Sequence, residues 1–158
     1  MIFVTIGTHN IGFERLIRKM DEIAKDLNEE IVMQIGSSVY IPKNTKYFDF
    51  VDEEKMLEYI QQARIIVTHA GAGTILTILT QEKKMILVPR SEKYGETCDD
   101  HELELSKLLE ESGDAIAVYD LDQLQSSIKK ADSNKNTRKI EDKKLVQFLK
   151  KSIGEMTK

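Results

Sequence analysis

A chain of 158 residues, 41% hydrophobic and 32% charged, is long enough for one domain that buries roughly two-thirds of its unfolded surface. Its formal charge of −4 argues against a nucleic-acid partner, and a single cysteine, Cys98, excludes an internal disulfide and a cysteine-based metal motif, so no metal site and a reducing, cytoplasmic setting are expected. The opening MIFVTIG lacks a basic start and a long apolar run, and no stretch of about 18 uninterrupted apolar residues exists to span a bilayer.

In chain order, Ile2 to Ile6 reads as a first strand, followed by the loop GTHNIG and a helix from Phe13 to Leu27 with Leu16, Ile17, Met20 and Ile23 on one face. Ile31 to Ile35 and Tyr47 to Val51 are the second and third strands, with Pro42 in the loop between them. A helix over 53–62 leads to the segment IIVTHAGAGT at 65–74, where β-branched residues stop at a histidine and open into small residues and glycines. Ile75, Ile78 and Leu79 then recur at helical spacing. Met85 to Val88 is a fifth strand, 102–111 a helix that stops near Gly113, and 115–119 the sixth strand.

Strands alternating with helices of about ten residues predict a Rossmann-like, doubly wound α/β domain with a parallel sheet of about six strands over residues 1–130. Its switch point falls between the first and fourth strands, so the loops after Gly7 and after His69 face one crevice. The polar stretch 131–137 reads as a linker, and 138–158 as a basic amphipathic C-terminal helix with Leu145, Phe148, Leu149, Ile153 and Met156 on its apolar stripe. From Lys129 onward the chain holds ten Lys/Arg against four Asp/Glu, so its acidity lies in the body. The stripe fits docking on this chain's own body or on a partner.

The strand, glycine loop and helix at 65–80 carry the chemistry. Gly71 and Gly73 permit close backbone approach, and the N–H groups and dipole of a helix start attract an anion such as a diphosphate. Two glycines also suit a tight turn with no ligand. His69, at the end of the strand, and Thr74, in the first helical turn, point toward the crevice and favour a ligand.

The motifs VTIGTH at 4–9, FVDEEKM at 50–56, HAGAGTIL at 69–76 and VPRSEKYGETCDDHELEL at 88–105, together with Gly113, resemble the C-terminal, nucleotide-sugar-binding domain of family 28 glycosyltransferases. The resemblance is strongest to the small catalytic subunits of two-part transferases of bacterial exopolysaccharide synthesis and of dolichol-linked oligosaccharide assembly. It implies half of a GT-B enzyme: an inverting hexosyltransferase that holds a UDP-sugar, uses no cofactor or metal, and works on a lipid-linked saccharide acceptor supplied by a membrane-associated partner subunit. That partner would recruit the chain to the cytoplasmic face of the membrane.

Carried over by position, the resemblance implies that His69, Gly71, Ala72, Gly73 and Thr74 line the diphosphate, with Gly7 and Thr8 on the opposite wall and the uracil against the backbone of Val51. Asp99, Asp100 and His101 would meet the donor sugar's hydroxyls, although a polar helix start with an aspartate N-cap accounts for them equally well. His69 is expected to stabilise the leaving group, and His9 is a reserve candidate for the base, which is otherwise expected on the acceptor side. One position departs from the family. Thr77 stands where related domains carry an acidic ligand for the ribose, which predicts weaker ribose recognition by ~1–2 kcal/mol. That departure leaves room for a non-catalytic binding or regulatory subunit. A nicotinamide-dependent oxidoreductase ranks last, because GTHNIG is not GxGxxG and the second strand runs into Gly36 rather than an acidic residue.

Overall fold

The computed structural model describes residues 1–131 and 143–156. Six parallel strands, β1 (Ile2–Thr5), β2 (Ile31–Gln34), β3 (Lys46–Phe48), β4 (Ile65–Thr68), β5 (Met85–Leu87) and β6 (Ile116–Ala117), form one sheet in the order β3-β2-β1-β4-β5-β6. Val4 of β1 stands between Met33 of β2 and Val67 of β4. Every residue of β1, β2, β4 and β5 is buried, as expected for a parallel sheet whose two faces are both covered.

Alternation along β1 sends Ile2 and Val4 to one core and Phe3 to the other. On the first face lie α1 (Glu14–Ala24), through Leu16, Ile17 and Met20, and α5 (Leu124–Lys130), through Leu124 and Ile128. On the second lie α2 (Glu53–Gln62), α3 (Ala72–Thr80) and α4 (His101–Ser112), through Ile60, Ile75, Ile78, Leu105 and Leu109. α6 (Lys143–Met156) packs against α3 and α4: Leu149 is buried in the second core and Phe148 and Ile153 are partly buried against it. For these residues the amphipathic stripe meets the chain's own body.

Several elements differ from expectation: α1 stops at Ala24 rather than Leu27, and β6 covers only Ile116–Ala117 of the expected 115–119. β3 ends at Phe48, so Val51 lies in the loop before α2, whose start is capped by Asp52 accepting from the Lys55 amide at 2.8 Å. The segment 121–131 forms a 3-10 turn and the short helix α5, an element not expected from the sequence although Leu121, Leu124, Ile128 and Ala131 recur there at helical spacing. Of the expected linker at 131–137 only Ala131 is described, and it is buried at the end of α5; residues 138–142, 157 and 158 of the expected C-terminal helix also lie outside the described residues.

Candidate functional site

The strand order reverses at β1 and β4, and the crevice beyond their carboxyl ends has a volume of about 690 Å³. Its base is a buried polar set at the last residues of the central strands. Thr5 Oγ1 donates to Gln34 Oε1, and Thr68 Oγ1 donates to the Thr5 carbonyl at 2.9 Å. These bonds satisfy groups that would otherwise be costly to bury.

His69 rises from this base with only 7% of its surface exposed. Burial, reinforced by the neighbouring Arg90, pushes its imidazole down to about 3, so the ring is neutral at neutral pH. Thr68 Oγ1 has given its one proton to Thr5, so its 3.2 Å contact with His69 Nδ1 is one in which Nδ1–H donates. The opposite ring edge wedges between the two glycine loops. A β-carbon on Gly71 would stand 2.2 Å from Nε2, and one on Gly7, already at a φ of +72°, would stand 2.5 Å from Cε1. Both glycines are therefore dictated by the histidine ring. The expected electrostatic role of His69 does not fit this environment, because the ring carries neither a positive charge nor an Nε2–H to offer an anion.

Gly73 is different. It lies exposed in the first turn of α3, and a β-carbon there would meet nothing within 4 Å. The protein's own packing gives no reason for a residue that weakens a helix by roughly 0.5–1 kcal/mol relative to alanine. Ala72 and Thr74 join it on the crevice wall, with the N–H groups of the helix start.

The loop from Gly7 to Gly12, which brings Thr8 and His9 to the crevice, is fastened from below by Arg90. This arginine is 3% exposed and donates from Nη1 to the carbonyls of Ile11, Gly12 and Glu96 at 3.0–3.2 Å and from Nη2 to that of Ile6 at 3.2 Å. Its backbone N–H donates to Glu102 Oε2 at 2.8 Å, and its Nε lies 3.8 Å from Glu102 Oε1. Glu96 is held in turn by a bidentate pair of 2.9 Å bonds from Arg15. A guanidinium can serve this purpose because its fork of five donors reaches several carbonyls at once.

His9 Nδ1 accepts the Ile11 N–H at 3.1 Å, so the neutral ring carries its proton on Nε2 and presents a donor. That is the wrong tautomer for the base considered from sequence. On the far wall Asp99 Oδ1 accepts both the backbone N–H of His101 and its Nδ1–H, each at 3.1 Å, and Asp100 caps α4 with no side-chain hydrogen bond of its own. Glu102 completes the wall. Burial pushes its carboxyl up from the ordinary value, against the opposing pull of Arg90.

The structure thus gathers Gly7, Thr8, His9, His69, Gly71, Ala72, Gly73, Thr74, Asp99 and His101 around one crevice. Val51, Asp100 and Thr77 are outside its lining, and Thr77 Oγ1 donates back to the Gly73 carbonyl at 3.1 Å. Sequence reasoning passed over Arg90 and Glu102, although both lie within the quoted motif at 88–105. A charged residue directly after the buried strand and Pro89 was the available signal. Among the described residues no group of three His, Cys, Asp or Glu could hold a metal ion.

Comparison with known proteins gives this crevice a setting. The family described as "Glycosyltransferase family 28 C-terminal domain" matches residues 1–156. The mouse (Mus musculus) "UDP-N-acetylglucosamine transferase subunit ALG13" is 27% identical over 124 residues, 70% of this chain and 10% of that protein. A Prochlorococcus marinus (strain MIT 9215) enzyme named as a pyrophosphoryl-undecaprenol N-acetylglucosamine transferase is 27% identical over 112 residues, 69% of this chain and 28% of the enzyme. Among solved structures, the glycotransferase of kitacinnamycin aligns over 99% of this chain and 39% of its own, with a TM-score of 0.66 at 18% identity. MurG of Acinetobacter baumannii aligns over 82% of this chain and 41% of its own, with a TM-score of 0.58 at 21% identity. The chain therefore spans well under half the length of each of these proteins.

Proposed function

We propose that this chain, which belongs to the glycosyltransferase family 28 C-terminal domain family, is the donor-binding half of an inverting transferase that moves a sugar from a UDP-sugar to a lipid-linked acceptor. The observation that carries the reading is Gly73. It sits at a helix N-terminus on the crevice wall, where only a ligand gives a side chain reason to be absent. No lysine or arginine lines this crevice among the described residues, so backbone N–H groups of the α3 start and the helix dipole hold the diphosphate.

In the transfer, the acceptor hydroxyl attacks the anomeric carbon from the face opposite UDP. The bond to the β-phosphate oxygen breaks with its electron pair, and the negative charge develops beside the α3 N–H groups. His69 contributes as a wedge that fixes the spacing of the two glycine loops. His9 Nε2–H is placed to donate to an anionic oxygen, so the base that takes the acceptor proton belongs to the acceptor half, a membrane-associated partner. No described helix is long and apolar enough to cross a membrane. Uracil would lie against the backbone at Val51, just before α2.

A regulatory subunit of the same assembly is the second reading, favoured by Thr77, whose hydroxyl proton is already donated to Gly73. Calorimetric titration with UDP separates them. Gly73→Ala should leave the fold intact and lower UDP affinity at least about tenfold. Unchanged affinity would remove the diphosphate from this turn, and absence of UDP binding by the parent chain with its partner would leave the regulatory reading.

A further inference from the structure

Resting on the UDP-sugar reading above, we infer that Arg90 is a positioning residue for the donor's phosphates, acting through the loop from Gly7 to Gly12 and touching no ligand itself. It does not line the crevice, yet it sets how the peptide planes of that loop are turned. Its Nη1 and Nη2 groups hold the carbonyls of Ile6, Ile11 and Gly12 from below at 3.0–3.2 Å. Ser37 Oγ, in the loop after β2, donates to the His9 carbonyl at 3.3 Å. In a planar trans peptide the N–H points opposite to the carbonyl before it, so carbonyls that face the protein turn N–H groups outward.

The ends of the loop use their N–H groups within the protein: that of Gly7 reaches Thr5 Oγ1 at 3.3 Å, and that of Phe13 donates to Ser38 Oγ at 2.9 Å. Between them the N–H groups of Thr8, His9 and Asn10 have no hydrogen-bond partner among the described residues, and all three residues line the crevice. The His69 ring separates Gly7 from Gly71, so these donors stand across the crevice from the start of α3. A diphosphate at α3 therefore faces a second row of backbone donors, and Arg90 is what holds that row in place. Arginine suits the task because its planar fork offers five donors in fixed directions and reaches four carbonyls, Glu96 included. Lysine would bring the same charge with three donors and no fork. Arg90 is itself fixed, being 3% exposed with its backbone N–H donating to Glu102 at 2.8 Å.

The test is titration of the full chain and of Arg90→Lys with UDP and with uridine, followed by amide chemical shifts. Arg90→Lys, shown by circular dichroism to be folded, should bind UDP at least about tenfold more weakly while uridine stays within about twofold of the parent. A purely structural role for Arg90 would lower stability alone. In that case the folded variant keeps the parent's preference for UDP over uridine, and the inference is overturned. Should Arg90→Lys fail to fold, amide hydrogen exchange in the parent chain decides. UDP should slow exchange at Thr8, His9 and Asn10 at least about fivefold and uridine should not, and no slowing by UDP overturns the inference. Either result leaves the UDP-sugar reading standing, whereas failure of UDP itself to bind the parent overturns that reading.

Discussion

The two sides of the crevice are built on opposite terms. On the inner side, at β1 and β4, His69, Gly7, Gly71 and Arg90 are interlocked, and each residue type is explained by another part of the protein. On the outer side, Gly73 and Asp99 are exposed and their neighbours are local. Change on the inner side should cost stability first and function as a consequence, whereas change on the outer side should alter ligand binding with the fold intact.

The largest expected effect is that of acid. His69 has a pKa of about 3 in the folded chain against 6.5 as its ordinary value, so an unfolded chain takes up a proton between those limits that the folded chain refuses. The stabilisation is complete above about pH 6.5 and falls as pH drops toward 3, by on the order of 4–5 kcal/mol if the ring stays buried. Denaturant titrations at pH 7 and pH 4 should show about 3 kcal/mol of this loss, and His69→Gln should flatten it.

Next is Arg90→Ala, which strips four carbonyls and Glu102 of one buried partner and should destabilise by about 3–5 kcal/mol in the same titrations. Gly71→Ala drives a β-carbon into the His69 ring and should cost about 1–3 kcal/mol, and a double-mutant cycle with His69→Ala should recover part of that. The smallest effect has the opposite sign. Gly73→Ala should raise stability by roughly 0.5–1 kcal/mol while weakening UDP. If Gly73→Ala destabilised and Gly71→Ala did not, the contrast between the two sides would be reversed.

Much of the architecture was legible in the sequence because period and punctuation agree. The apolar strands, the helical stripes at Leu16 to Ile23 and Ile75 to Leu79, and the glycine loops all specify one parallel sheet. α5 was legible too, since Leu121, Leu124, Ile128 and Ala131 recur at helical spacing, but it is only seven residues long and runs into the polar stretch after Ala131. Most of the crevice residues were legible because strand ends and helix starts must converge at the switch point. Their individual chemistry was not.

The sequence by itself determined the doubly wound fold, the glycine turn at 71–74 between β4 and α3 and the family to which the chain belongs, since these depend on local spacing and ordered motifs. Only the tertiary structure decided that His69 is neutral, that Gly7 and Gly71 serve its ring while Gly73 does not, that His9 presents a donor, and that Arg90 ties the first loop to the β5 end. The burial of His69 and the pairing of Arg90 depend on groups that lie dozens of residues apart and meet only when the sheet assembles, and even the local contacts of His9 with Ile11 and of His69 with Thr68 and Gly71 take their geometry from the folded loops.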